Sequence, residues 1–234
     1  MRRDGNKAAA LKASREFEKT TRAIATRLSD GDFGQDPLSG SERNRVFINH
    51  SGESFADISN ISGADHIADG RSVVLLDYDR DGWQDIAVVN LNAPKLCLFH
   101  NQIPSAFPTL SATNRSIHFR FVGGATKEKH GGLSNRDGVG ARLEFQLGGR
   151  PHLHEVRRGE GFSAQNSAVV HIGIGSAAMV AGASIRWPSG RTQTLPELPA
   201  GSLVTVFEKA PESLESEDSF TITDWSLQKT GQIP

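Results

Sequence analysis

Nine consecutive residues, Asp77-Tyr78-Asp79-Arg80-Asp81-Gly82-Trp83-Gln84-Asp85, restrict what this chain can fold into more than any other stretch of it. Carboxylates stand at alternate positions 77, 79 and 81, a glycine follows the third, and a fourth carboxylate stands at 85. Crowded on one short loop, such groups repel one another and hold protons above their usual range. A hard divalent cation removes that repulsion. Ca²⁺ takes six to eight oxygens at about 2.3–2.6 Å, and a loop supplies them from alternate side chains and a backbone carbonyl. Gly82 allows the tight turn where a side chain would clash. The expected ligands are Asp77, Asp79, Asp81 and Asp85 with the carbonyl of Trp83, and the expected cofactor is Ca²⁺. The competing reading of the same residues is a solvated acidic hairpin turn.

The flanks decide what this loop connects. Val73-Val74-Leu75-Leu76 runs in and Ile86-Ala87-Val88-Val89-Asn90 runs out, both short and rich in β-branched residues, which predicts strands. An EF-hand would set the loop between helices and needs a bidentate glutamate at its twelfth position, where Val88 stands. The loop therefore joins a β-hairpin.

Strand signals continue along the chain. Residues 45–49 and 55–58 flank a His50-Ser51-Gly52-Glu53 turn, and strands are predicted over 96–99, 117–122, 142–147, 152–156, 168–174, 183–187 and 202–207, separated by Gly, Pro or Asn clusters. This predicts an all-β architecture. Residues 6–28 differ: Ala10, Phe17, Ile24 and Leu28 recur near helical spacing and Ser29-Asp30-Gly31 closes the run, predicting a helix. Residues 104–114, with Pro104 and Pro108, read as a linker. After Phe207 come Glu212, Glu215, Glu217 and Asp218 with few apolar residues, which predicts a disordered tail that Trp225 alone is able to pin.

Composition excludes some partners. A net charge of -1 over 234 residues gives no global attraction to nucleic acid or to anionic membranes. No run approaches the roughly 18 apolar residues of a membrane span. The single cysteine, Cys97, forms no intramolecular disulfide and sits in Lys95-Leu96-Cys97-Leu98-Phe99 as a small core hydrophobe. Met1-Arg2-Arg3-Asp4 is charged as a signal peptide begins, but Ala8-Ala9-Ala10-Leu11 gives way at once to Lys12, so no export signal is expected in the chain as written.

Other motifs carry weaker chemistry. Gly173-Ile174-Gly175-Ser176-Ala177-Ala178 fits a loose dinucleotide fingerprint, but Gly182 leaves no room for the helix that would meet a pyrophosphate, so no cofactor is expected there. His152 and His154 share one face of a strand, and His118, His130 and His171 join a metal site only through tertiary contacts that spacing does not specify. Ser163 lacks a nucleophile-elbow context. Spacing yields no acid–base pair and no nucleophile, so a non-enzymatic protein is expected. Trp187, Phe162 and Asn166 offer a sugar-stacking platform if exposed, although large aromatics usually bury their area first.

Residues 73–90 resemble an FG-GAP or VCBS repeat, in which a calcium loop joins two strands of a propeller blade, and the spacing across residues 44–59 resembles what precedes such repeats. Ser134-Asn135-Arg136-Asp137-Gly138-Val139-Gly140-Ala141-Arg142, Gly159-Glu160-Gly161-Phe162-Ser163-Ala164-Gln165, His171-Ile172-Gly173-Ile174-Gly175 and Ile185-Arg186-Trp187-Pro188-Ser189-Gly190 resemble, in this order, the ASPIC/UnbV family. Members of that family usually carry several FG-GAP repeats before the ASPIC/UnbV domain and are typically secreted or surface proteins related to cartilage acidic protein. One acidic loop supplies one blade, and a propeller needs about four to eight to protect its edges.

The resemblance implies an all-β fold in which a partial propeller-blade-like β unit precedes a small β-sandwich or barrel domain, with an N-terminal helix. The expected division is helix and linker over 1–43, the calcium-loop unit over 44–103, a linker over 104–116, the ASPIC/UnbV-like domain over 117–208 and the acidic tail over 209–234. It also implies a calcium-binding, extracellular module for adhesion, binding or scaffolding, with a protein or glycan partner. The alternative is an accessory or catalytic domain of a carbohydrate-active protein, its cleft near Trp187 and the histidines.

Overall fold

In the computed structural model of the protein, residues 15, 19, 42–125, 131–211 and 219–226 are described. Arg15 and Lys19 are helical and exposed; the rest of the helix expected over 6–28 lies outside the described residues, as does His130.

The strands form on β-branched and apolar residues, continuous over 73–76, 86–89 and 96–99 and alternating with polar ones over 115–122 and 142–147. Strands β1 (Phe47–His50) and β2 (Ser54–Asp57) pair antiparallel around a turn in which Ser51 and Gly52 take positive φ. Asn49 Oδ1 fixes that turn by accepting from the Gly52 N–H at 2.7 Å. A one-turn helix, α1 (Ser59–Ser62), ends on left-handed Gly63. Strands β3 (Gly70–Leu76), β4 (Asp85–Asn90) and β5 (Leu96–Phe99) then form an antiparallel meander. Leu76 pairs with Asp85, so residues 77–84 are the hairpin connection that the sequence predicts. This small sheet is thin: Val73 and Leu75 are exposed on one face, and Val89, Leu96 and Leu98 on the other.

The linker expected over 104–116 has structure of its own. Helices α2 (Ile103–Ala106) and α3 (Pro108–Thr113) each carry proline in the first turn, where its missing N–H has no intrahelical partner to lose. Strand β6 (Arg115–Val122) begins directly after them.

The second half is a sandwich of two sheets. One orders β14 (Phe220–Asp224), β13 (Ser202–Phe207), β6 and β9 (Val170–Gly175), with β13 and β6 parallel. The other orders β11 (Thr192–Thr194), β10 (Met179–Arg186), β7 (Arg142–Leu147) and β8 (Arg150–Glu155), with β12 (Leu198–Pro199) also on β10. Ile117, Phe119 and Phe121 of β6 point inward at every second position, and Leu143, Phe145, Ile172, Ile174, Val204 and Val206 join them in one buried cluster. A bulge in β10, with Gly182 at φ +65, resets the alternation so that Val180, Ala183 and Ile185 all face that core. Both sheets keep open edges, so no closed barrel forms among the described residues.

One expectation changes here, and the reading of Trp187 as a core aromatic holds. Phe220–Asp224, inside the stretch expected to be disordered, is strand β14: its Phe, Thr and Ile residues suit a pleated surface, and β13 offers a free edge with Val204↔Ile222 in register. Trp187 is 2% exposed, donates Nε1–H to Gln193 Oε1 at 3.2 Å and packs edge-on to Phe121, so its indole presents no face to a sugar. Phe162 is exposed, whereas Asn166 is bound to Glu160 and to the Leu75 N–H, and no shared platform results.

Candidate metal centre

The acidic loop folds on its own carboxylates. Asp77 Oδ1 accepts from the Asp81 N–H at 3.1 Å and Oδ2 from the Gly82 N–H at 2.9 Å, while Asp81 Oδ1 accepts from the Trp83 N–H at 2.8 Å. Asp85 Oδ2 accepts from the Tyr78 N–H at 3.1 Å and Oδ1 from the Asn101 N–H at 2.8 Å. The reversal this requires falls on Arg80 (φ 59) and Gly82 (φ 91), the latter open to glycine at little strain.

This arrangement turns the carboxylates inward. An oxygen from each of Asp77, Asp79 and Asp85 lies within 4.8 Å of the others, and a second, overlapping group joins Asp79 and Asp81 to His100. His100 Nε2 stands 3.2 Å from Asp79 Oδ2. Burial, together with the charges of Asp79, Asp77 and Asp85, raises the pKa of Asp81 despite the opposing Trp83 N–H. A donor set of hard carboxylate oxygens gathered on one loop fits a calcium-type cation. Of the four expected carboxylates, three converge directly, Asp81 joins through Asp79, and Trp83 lies in the same turn.

Behind the loop stands a group that spacing alone did not assemble. His118 and His171 are cross-strand partners on β6 and β9, with Nε2 and Nδ1 3.0 Å apart. His118 Nε2 is 3.9 Å from Asp77 Oδ2, and both side chains are almost fully buried, at 1% and 2% exposed. Burial and the neighbouring His171 push the His118 pKa down to about 3. Burial also lowers that of His171, against the pull of Asp77. Trp225 donates Nε1–H to Asp77 Oδ2 at 2.7 Å and stacks on His118.

Trp225 and His100 were not among the residues read as ligands or their neighbours. A signal for His100 exists: it follows Phe99, which pairs with Ile86, so the hairpin register sets it beside Asp85. No local pattern marks Trp225, whose place depends on β14 pairing with β13.

The remaining candidates fall elsewhere. His152 and His154 both stack on Phe145, and Gly175 leads through a short turn into β10 rather than into a helix. Cys97 is half-buried beside the Asn90 amide. A second buried polar centre lies at Glu208, whose carboxylate accepts from the Gly124 N–H at 2.9 Å, the Ser134 N–H at 2.7 Å, the Ser134 hydroxyl at 2.9 Å and the Ser189 hydroxyl. Burial by itself would raise its pKa, but these hydrogen bonds outweigh burial and hold the carboxyl below its usual range.

Comparison with known families finds two matches. The family described as FG-GAP-like repeat matches residues 23–88, a stretch that takes in the whole acidic loop. The family described as ASPIC and UnbV matches residues 131–213. That second stretch omits β6, although Ile117, Phe119 and Phe121 lie in the sandwich core. No curated protein matches the chain.

Proposed function

This chain is an ASPIC/UnbV protein with an FG-GAP repeat, and from that premise we propose that it is a non-enzymatic binding or adhesion module whose hairpin loop is stabilised by Ca²⁺. The observation that carries this reading is the convergence of Asp77, Asp79 and Asp85 on one small volume, with Asp81 beside them. The ion exchanges carboxylate repulsion for coordination and ties β3 to β4. Its role is structural, and extracellular modules of this kind bind weakly, with Kd about 10⁻⁴–10⁻³ M. The partner is a protein or glycan surface. Exposed apolar residues on both faces of the β3–β4–β5 sheet support a role in association, because contiguous exposed apolar surface marks interaction sites.

The test is a pair of melting curves, with millimolar calcium and then with chelator. The wild-type midpoint rises with calcium, and a double variant, Asp79→Asn with Asp81→Ala, loses that rise. An equal rise in the variant sinks the loop as the binding site.

A further inference from the structure

We propose that Asp77 Oδ2, His118 Nε2 and His171 Nδ1 form a second metal site, sharing Asp77 with the acidic loop but differing from it in donor chemistry, that takes a borderline divalent cation of the Zn²⁺ type. The three atoms lie within 4.8 Å of one another, with the two ring nitrogens 3.0 Å apart and the carboxylate oxygen 3.9 Å from His118 Nε2. Around a tetrahedral zinc with Zn–N of about 2.0–2.1 Å, ligand atoms stand about 3.3 Å apart. Closing the triad on an ion spreads the two ring nitrogens slightly and draws the carboxylate oxygen toward His118 Nε2 by roughly 0.6 Å, from 3.9 Å to about 3.3 Å.

The donor set selects the metal. Two imidazoles and one carboxylate suit zinc and its first-row neighbours, whereas calcium takes oxygen. Strands fix the geometry: His118 and His171 are in direct register on paired β6 and β9.

One ring nitrogen donates to the other, and His118 Nδ1 behind them is fully buried. Asp77 Oδ2 itself accepts from the Trp225 indole N–H at 2.7 Å and the Gly82 N–H at 2.9 Å, so an ion here takes the place of one of these donors while the other keeps the carboxylate aimed. A crevice of about 430 Å³ reaches His118 beside Gly82, Ser116 and Trp225, and another of about 490 Å³ reaches His171.

The experiment uses the full chain, stripped with chelator and then saturated with calcium. Co²⁺ and Zn²⁺ are titrated in turn, following the visible bands of bound Co²⁺ and the heat of Zn²⁺ binding. One equivalent of each is expected, with Zn²⁺ displacing Co²⁺. His171→Ala, and independently the shape-keeping His118→Gln, weaken binding at least tenfold while circular dichroism stays unchanged. Asp79→Asn leaves Zn²⁺ binding as it was, even where it removes the calcium response, so failure of one site is distinguishable from failure of the other. Absence of stoichiometric Zn²⁺ uptake by the wild-type chain, or uptake that survives both histidine substitutions, overturns the proposal.

Discussion

Trp225 Nε1 donates to Asp77 Oδ2 over 2.7 Å, linking residues 148 positions apart. The same indole lies flat on His118, with ring centroids 4.1 Å apart and 12° between the planes. The last described strand is thus fastened to the first residue of the acidic loop. Asp77 sits where the hairpin, the sandwich and β14 meet, and each of them contributes to how its carboxylate is aimed.

Trp225→Phe keeps an aromatic ring over His118 and removes only the donor. A hydrogen bond to a charged group contributes about 1.5–3 kcal/mol, and the Asp77 side chain is 2% exposed, so water does not replace the lost partner. Urea denaturation is expected to show a loss in that range. A change below about 0.5 kcal/mol would mean that Asp77 does not depend on the indole.

Asp81→Asn is expected to act with opposite signs in two conditions. In chelator it removes one of four mutually repelling carboxylates and raises the melting midpoint slightly, by an amount typical of exposed charge pairs, about 0.2–1 kcal/mol. In calcium it lowers the midpoint relative to wild type, because a ligand is lost. Midpoints that move the same way in both buffers contradict a cation role for the loop.

Glu208 makes the sandwich sensitive to acid. Its pKa is lower in the folded chain than in the unfolded one, so the stability it contributes is complete above the ordinary glutamate range and drains away as pH falls through the folded value. Glu208→Gln faces the Ser134 and Gly124 N–H groups with an amide in place of a carboxylate, at a cost of about 1–3 kcal/mol. The same substitution flattens the acid limb of a stability–pH profile. An unaltered limb refutes this role.

His118 remains neutral through the whole physiological range, with its imidazole titrating at about 3. The unfolded chain takes up a proton near 6.5, so stability falls as pH drops from there toward 3 and is complete above it. An NMR titration of the ring protons checks the value directly. A midpoint above 6 means that the ring is hydrated in solution.

Gly138→Ala strikes the packing behind the ASPIC/UnbV motif. A Cβ there would sit 2.7 Å from Phe121 Cβ and 3.3 Å from the Trp187 ring, on backbone with φ +63. Left-handed strain of about 1–2 kcal/mol adds to overpacking of about 1–3 kcal/mol. Chemical denaturation is expected to show a loss of a few kcal/mol, and a neutral result excludes tight packing at this turn.

Much of this was legible one strand at a time. The Val73–Leu76 and Ile86–Asn90 runs announce a hairpin because short length and β-branching are properties of a few neighbouring residues. The acidic loop is legible for the same reason, since its ligand spacing lies within nine residues. Residues 104–114 misled because proline reads as a breaker, although at the first turn of α2 and α3 it starts a helix as readily as it ends one.

Chain chemistry by itself therefore settled that this protein is built of strands and that one turn is crowded with carboxylates, for both follow from residues that touch along the backbone. Tertiary structure alone decided that Phe220–Asp224 is a strand and that His118, His171 and Trp225 gather behind Asp77. Those outcomes depend on which strand edges meet and on which side chains lose water when the sheets close. No periodicity within a single segment encodes a partner more than a hundred residues away.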